Sequence, residues 1–149
     1  NHQVQKASMK KSTTIIILVA AFLVAILVFY EERLPEQVQQ KWETKSDQRA
    51  GVTVAVTPIK LSSGSREWMF NVVMDTHSVE LDQDMVSITT LTDDRGAEHR
   101  PIKWEGPVGG HHREGILIFQ SPDYATSYVE LKIKNVGQVP ERLFKWEFK

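Results

Sequence analysis

The residue types best suited to chemistry here are histidines, five in 149 residues. His77 lies in the segment Asp75-Thr76-His77-Ser78. His111 and His112 lie in Gly109-Gly110-His111-His112-Arg113-Glu114-Gly115. Imidazoles beside a carboxylate suit Zn²⁺ or Cu²⁺, and a nearby Met74 would favour copper. His77, His111, His112 and Asp75 are therefore a candidate Cu or Zn site. The same residues with Arg113 form a candidate binding patch: Asp75, His77, His111, His112 and Arg113. A third reading is structural, with a histidine bonded to Asp75 or Glu80 and Arg113 paired with Asp75, Asp82 or Asp84 to pin two loops. Against the metal stands the pairing of His111 with His112, because adjacent residues on a strand point to opposite faces. There is also no His-x-His or His-Glu-x-x-His spacing. Clustered imidazoles would in any case titrate near neutrality.

The other reactive types lead less far. Glu80, Asp82 and Asp84 alternate as calcium ligands do, but without the glycine and terminal glutamate of a calcium loop, so a solvated acidic loop is expected. Trp68, Trp104 and Trp146 sit among apolar neighbours and read as core, with Trp104 a conceivable sugar platform. No serine lies in a nucleophile elbow, and no glycine-rich phosphate loop is present. With no cysteine, a disulfide scaffold, a thiol enzyme and a cysteine-anchored lipoprotein are all excluded. Eighteen basic residues against nineteen acidic ones exclude a uniformly basic nucleic-acid binder. No reaction is expected of this chain.

The elements that must position these residues begin with an apolar run. Ile15 to Tyr30 is unbroken, and Ser12, Thr13 and Thr14 lengthen the uncharged stretch to the ~20 residues that cross ~30 Å of hydrocarbon. A signal peptide would offer small residues at its cleavage site, whereas Phe29, Tyr30, Glu31 and Glu32 stand there. An uncleaved signal-anchor is expected over residues 12–30. Lys6, Lys10 and Lys11 before it and Glu31 and Glu32 after it place residues 1–11 in the cytoplasm and the remainder outside. Residues 31–50 read as a charged stalk, with Leu34, Val38 and Trp42 on a helical stripe.

From residue 52 the period changes to two. Seven strands are expected. They run through Val52–Thr57, Trp68–Met74, Met85–Leu91, Glu98–Trp104, Ile116–Gln120, Tyr128–Lys134 and Leu143–Phe148. Asp93-Asp94-Arg95-Gly96 supplies a tight turn. About a hundred residues of this kind fold as an all-β, immunoglobulin-like antiparallel sandwich. In that topology the second and fifth strands are antiparallel neighbours, which brings the end of one, with Asp75 and His77, beside the start of the other, with His111 and His112.

The order Val52-Thr53-Val54, Phe70-Asn71-Val72-Val73, Thr92-Asp93-Asp94-Arg95-Gly96 with His99-Arg100-Pro101, Gly115-Ile116-Leu117-Ile118-Phe119 and Val129-Glu130-Leu131-Lys132-Ile133 resembles the telokin-type, immunoglobulin-like extracytoplasmic domains of bacterial and archaeal membrane-anchored proteins. The resemblance covers residues 52–148. It implies a binding or accessory module without catalytic activity. The Gly109–Gly115 segment departs from that pattern.

The expectation is a single-pass protein of the plasma membrane, held by residues 12–30 in the lipid bilayer, with a sandwich over residues 51–149 outside. It would serve a membrane or envelope protein partner through the loop end carrying the histidines, and would not bind nucleic acid.

Overall fold

Strict alternation of apolar and polar residues dominates the second part of the chain, and the strands follow it. The computed structural model describes Val19, residues 21–26 and residues 41–148. Two units divide at residue 40. In the first, Val19 and residues 21–26 are helical, with Val19, Phe22, Leu23 and Val24 exposed. Among the described residues no helix is long and apolar enough to cross a membrane. Most of the expected span 12–30, the tail 1–11 and the first half of the stalk lie outside the described residues.

The second unit, residues 41–149, is a β-sandwich. Among the described residues nine strands form it: β1 (Lys45–Arg49), β2 (Val52–Lys60), β3 (Glu67–Thr76), β4 (Thr89–Asp93), β5 (Glu98–His99), β6 (Pro101–Glu105), β7 (His112–Gln120), β8 (Tyr128–Val136) and β9 (Val139–Glu147). One sheet has the order β1-β2-β3-β7-β6 and the other β5-β4-β8-β9. Each strand pair is antiparallel.

The inner faces meet in one apolar core. Val52, Val54, Val56, Trp68, Phe70, Val72, Met74, Leu117 and Phe119 come from the first sheet, and Leu91, Val129, Leu131, Ile133, Phe144 and Trp146 from the second. Phe70 and Trp146 join the layers with ring centroids 5.5 Å apart. Each such side chain contributes ~1.5–3 kcal/mol on burial, and a one-residue slip of any strand would turn its whole row to water. That penalty is what holds the register.

Three sequence expectations need correction. Met85–Leu91 is not one strand: Met85–Ile88 forms a single helical turn, α1. Asp84 caps it, its carboxylate accepting from Val86 N at 3.1 Å, and an N-cap aspartate overrides alternation over so short a run. Glu98–Trp104 is also two strands. Pro101 lacks the N–H that would continue a ladder, and there the chain leaves β4 of one sheet to pair with β7 of the other. Thirdly, residues 41–50 are not stalk. β1 pairs with β2 from Lys45↔Val56 to Arg49↔Val52, and Trp42 meets Phe148 edge-on at 5.5 Å.

Arg142 explains why so polar a segment joins the domain. It is fully buried on β9. Its Nη1 donates to the Asp47 carbonyl at 3.1 Å and the Asp47 carboxylate at 2.6 Å, and its Nη2 donates to Arg49 O at 2.9 Å and Val136 O at 3.3 Å. These bonds tie β1, at the margin of one sheet, to β9, at the margin of the other.

Candidate functional site

The loops beyond β3 and β7 carry the residues singled out by type. β3 and β7 are antiparallel neighbours, and Asp75 stands directly opposite His112. Both are exposed, and His112 Nδ1 bonds Asp75 Oδ1. The hydrogen bond to Asp75, then its charge and that of Glu114, raise the His112 imidazole above its ordinary range. Further along the same outer face Asn71 Nδ2 donates to Glu114 Oε1 at 3.0 Å.

Backbone bonds hold the two loops together. Thr76 N donates to His111 O at 2.9 Å, Leu81 N to Gly110 O at 3.0 Å, and Gly109 N to Leu81 O at 3.0 Å. Gly110 N donates to the Glu80 carboxylate. Gly109 and Gly110 have φ of 84° and 90°, which side-chain-bearing residues adopt at a cost, so the glycine pair is what lets this loop fold back on Glu80 and Leu81. His77 and His111 are both exposed on this frame.

Arg113 is the exception. Its type and position in the sequence group it with the binding patch, but it is fully buried. Along β7 it shares a face with Gly115, Leu117 and Phe119, so it points into the sandwich while His112 and Glu114 point out. Its Nε donates to Pro107 O at 2.6 Å, and its Nη1 donates to Gln83 O at 2.7 Å and Leu81 O at 3.2 Å. The guanidinium lies 5.1 Å from the Trp104 ring. Burial lowers its pKa, opposed by the charges of Asp82 and Asp84. Arg113 thus pins two loops, as the structural reading held, but through backbone carbonyls in place of carboxylates. Its Nη2 and the Gln83 Oε1 are buried without a partner among the described residues.

Trp104 closes this corner. Its Nε1 donates to Pro107 O at 3.2 Å. A Cβ on Gly115 would come within 2.5 Å of the indole and 2.6 Å of Glu105 O, so only glycine fits beneath the ring. Trp68 and Trp146 lie in the core. Trp104 is half-buried against the same core.

Among the described residues no group of three or more His, Asp or Glu side chains could hold a metal ion. Of the four candidate ligands, Asp75 and His112 meet each other. The acidic loop has other work: Glu80 holds Gly110, Asp84 caps α1 and Asp82 acts on Arg113 through its charge.

Sequence reasoning missed a second polar centre, at the opposite end of the sandwich. Asp93 is buried. Its Oδ1 accepts from Arg95 N at 2.9 Å and Ala97 N at 3.0 Å. Its Oδ2 accepts from Tyr124 OH at 2.6 Å and lies 2.9 Å from His99 Nε2. Burial would raise its pKa, but the bonds from Tyr124, His99, Ala97 and Arg95 outweigh burial and hold it at about 2. The turn signal of Asp93–Gly96 was legible. Tyr124, thirty-one residues away, had no signal in the local pattern.

Comparison of the chain with protein-family models, with curated proteins and with solved structures gives no match.

Proposed function

We infer that the chain is a membrane-anchored, single-pass protein whose extracytoplasmic sandwich is a non-catalytic binding or accessory module. The sandwich is read as immunoglobulin-like, of the telokin type. The sheet orders β2-β3-β7-β6 and β5-β4-β8-β9 support this, because they correspond to the immunoglobulin orders A-B-E-D and C′-C-F-G, with β1 added at one margin. The apolar run Ile15–Tyr30 and its basic leading flank support the anchor.

One observation carries the choice of binding face. Trp42, where the chain comes into the sandwich, packs on Phe148, which also meets Trp68, at one end, while Asp75, His77, His111 and His112 crowd the other. The chain enters the sandwich at the first end, which leaves the loops of the second unobstructed by it for a partner. The surface on offer is Asp75, His77, His111 and His112, and Arg113 lies beneath it as support.

The chain has no cysteine, so a single introduced one reports on its surroundings. Under this reading a membrane-impermeant maleimide labels His77→Cys on intact cells and leaves Ser8→Cys unlabelled until the membrane is opened. A photo-crosslinker attached to the thiol of His77→Cys captures a membrane or envelope protein that the same probe on Ser63→Cys does not. Labelling of position 77 only after permeabilisation would refute the topology, and identical capture from both positions would refute the binding face.

A further inference from the structure

The end of the sandwich away from His77, His111 and His112 holds a cavity of about 420 Å³. The β2–β3 loop and the β7–β8 loop wall it, with Ser63, Gly64, Arg66, Gln120, Asp123 and Tyr124 among its lining. Ligand sites span ~300–1,000 Å³, so this one has room for a single sugar-sized molecule.

The walls are braced from behind. Trp68 Nε1 donates to Ser62 O at 3.1 Å, and Ser65 Oγ donates to Ser62 O at 2.9 Å and Glu67 O at 3.1 Å. Ser121 N donates to Arg66 O at 3.1 Å, joining the loops. Tyr124 is held at its hydroxyl by Asp93 at 2.6 Å, and the Arg95 guanidinium lies 3.9 Å from its ring centroid. Ser127 N donates to Asp94 at 2.7 Å and fixes the far end of the second loop.

The groups left unused within this frame are chemically specific. Among the described residues the Arg66 side chain has no hydrogen bond or ion pair, and neither has the Asp123 carboxylate. An opposite pair of charges shares one cavity without meeting. The Ser63 hydroxyl and Gln120 amide are likewise unengaged.

We propose that this cavity binds a small hydroxylated oxyanion, a sugar acid or a polyol phosphate. Arg66 takes the oxyanion, and Asp123, Gln120 and Ser63 take its hydroxyls. A guanidinium fork matches carboxylate and phosphate oxygens in pairs. Asp123 then selects against a bare inorganic anion, which it repels and which brings no carbon-borne hydroxyls for Asp123, Gln120 and Ser63 together. A zwitterion is less well matched, because it lacks the hydroxyls that the two neutral polar groups, Gln120 and Ser63, are suited to bond. The site stands on residues remote from the histidine end, so it holds whether or not that face binds a protein.

The test is calorimetric titration of the full chain in a polyoxyethylene detergent, which carries no sugar or phosphate headgroup. The probes are glucuronate, glycerol phosphate, glucose, inorganic phosphate and phosphoethanolamine. Saturable binding of glucuronate or glycerol phosphate is expected, and whichever binds tells which oxyanion the site takes. Arg66→Ala should weaken it by about fivefold, the scale of one charge-assisted bond made by an exposed guanidinium. Asp123→Asn should weaken it by a few-fold, and neither change should move the melting temperature. The proposal is overturned by no binding, by binding that survives Arg66→Ala, or by equal or tighter binding of glucose, phosphate or phosphoethanolamine. A lowered melting temperature in Arg66→Ala also overturns it, since the guanidinium would then have a structural partner.

Discussion

Replacing Arg113 with leucine separates a structural arginine from a recognition residue. The substitution removes three charged hydrogen bonds, to Pro107 O, Gln83 O and Leu81 O. Two of those carbonyls keep another donor: Trp104 Nε1 still reaches Pro107 O, and Gly109 N still reaches Leu81 O. Only Gln83 O loses its hydrogen-bond donor. Leaving a buried carbonyl without its donor costs ~1–3 kcal/mol, and the leucine relieves the desolvation of a guanidinium. The expected loss is therefore about 2 kcal/mol. For a domain near a hundred residues ~4 °C accompanies each kcal/mol, so the melting temperature should fall by ~8 °C. Arg113→Lys should fall between, because an ammonium cannot fork across two loops. Urea midpoints and calorimetry read the stability. NMR titration of His112 supplies a control, since it faces the other way and should keep its raised pKa. A loss under ~1 kcal/mol, or a His112 titration that shifts with Arg113→Leu, would refute the inward assignment.

Four further outcomes follow from the same geometry. Asp93, held at about 2 against an ordinary 3.8, contributes stability that is present above 3.8 and is lost as pH falls through about 2. Asp93→Asn should cost ~2 kcal/mol at neutral pH and flatten the acid limb of a urea-midpoint profile; an unchanged profile would remove the network from the account. Asp75→Asn should lower the His112 pKa in an NMR titration. In the parent chain the raised His112 value means that its contribution is present below the unfolded-state pKa and is lost as pH rises through the folded one. Gly115→Ala should destabilise by ~1–3 kcal/mol in a thermal melt, since a methyl group there overlaps Trp104 and Glu105 O. Arg142→Leu should release β1, seen as faster amide exchange over Lys45–Arg49 with slow exchange kept in β3 and β7, and should raise the Asp47 pKa that Arg49 and Arg142 together hold down.

How much of this was legible depends on whether the physics was local. Val52–Val54–Val56, Trp68–Phe70–Val72–Met74 and Phe144–Trp146 declare their inward faces by alternation, and β2, β3 and β9 lie where that pattern puts them. That Asp75 shares one end with His111 and His112 followed from antiparallel pairing, while its register opposite His112 did not. The orientation of Arg113 was also available. Counting back by twos from Phe119 and Leu117 passes through Gly115 to Arg113, and from Trp146 and Phe144 the same count reaches Arg142. The rule that charge faces water overrode that parity, and it fails where backbone carbonyls can solvate the cation. β1 could not be read, because Lys-Ser-Asp-Gln-Arg has no apolar face. Its place is set by Arg142, ninety-five residues from Asp47. The Met85 turn lost its strand to one capping aspartate, and Tyr124 joined Asp93 through tertiary packing alone.

The two buried arginines solve one problem at two places. A sandwich leaves its sheet margins and loop ends with carbonyls that no strand neighbour satisfies. An arginine placed inside can donate in several directions at once. Arg142 does this between β1 and β9, and Arg113 between the Leu81–Gln83 and Pro107 loops. Leucine at either site would be the ordinary core residue, yet it would leave loops joined by fewer bonds. The consequence for the histidine end is rigidity. Asp75, His77, His111 and His112 ride on loops clamped from below, so a partner meeting them has little loop freedom to arrest, and the ordering cost of binding there is correspondingly small. Under the proposed binding face, loosening the clamp should therefore weaken recognition even though Arg113 lies beneath that surface. That loss should come from the entropy of binding, with the outer-face chemistry of Asp75 and His112 unchanged.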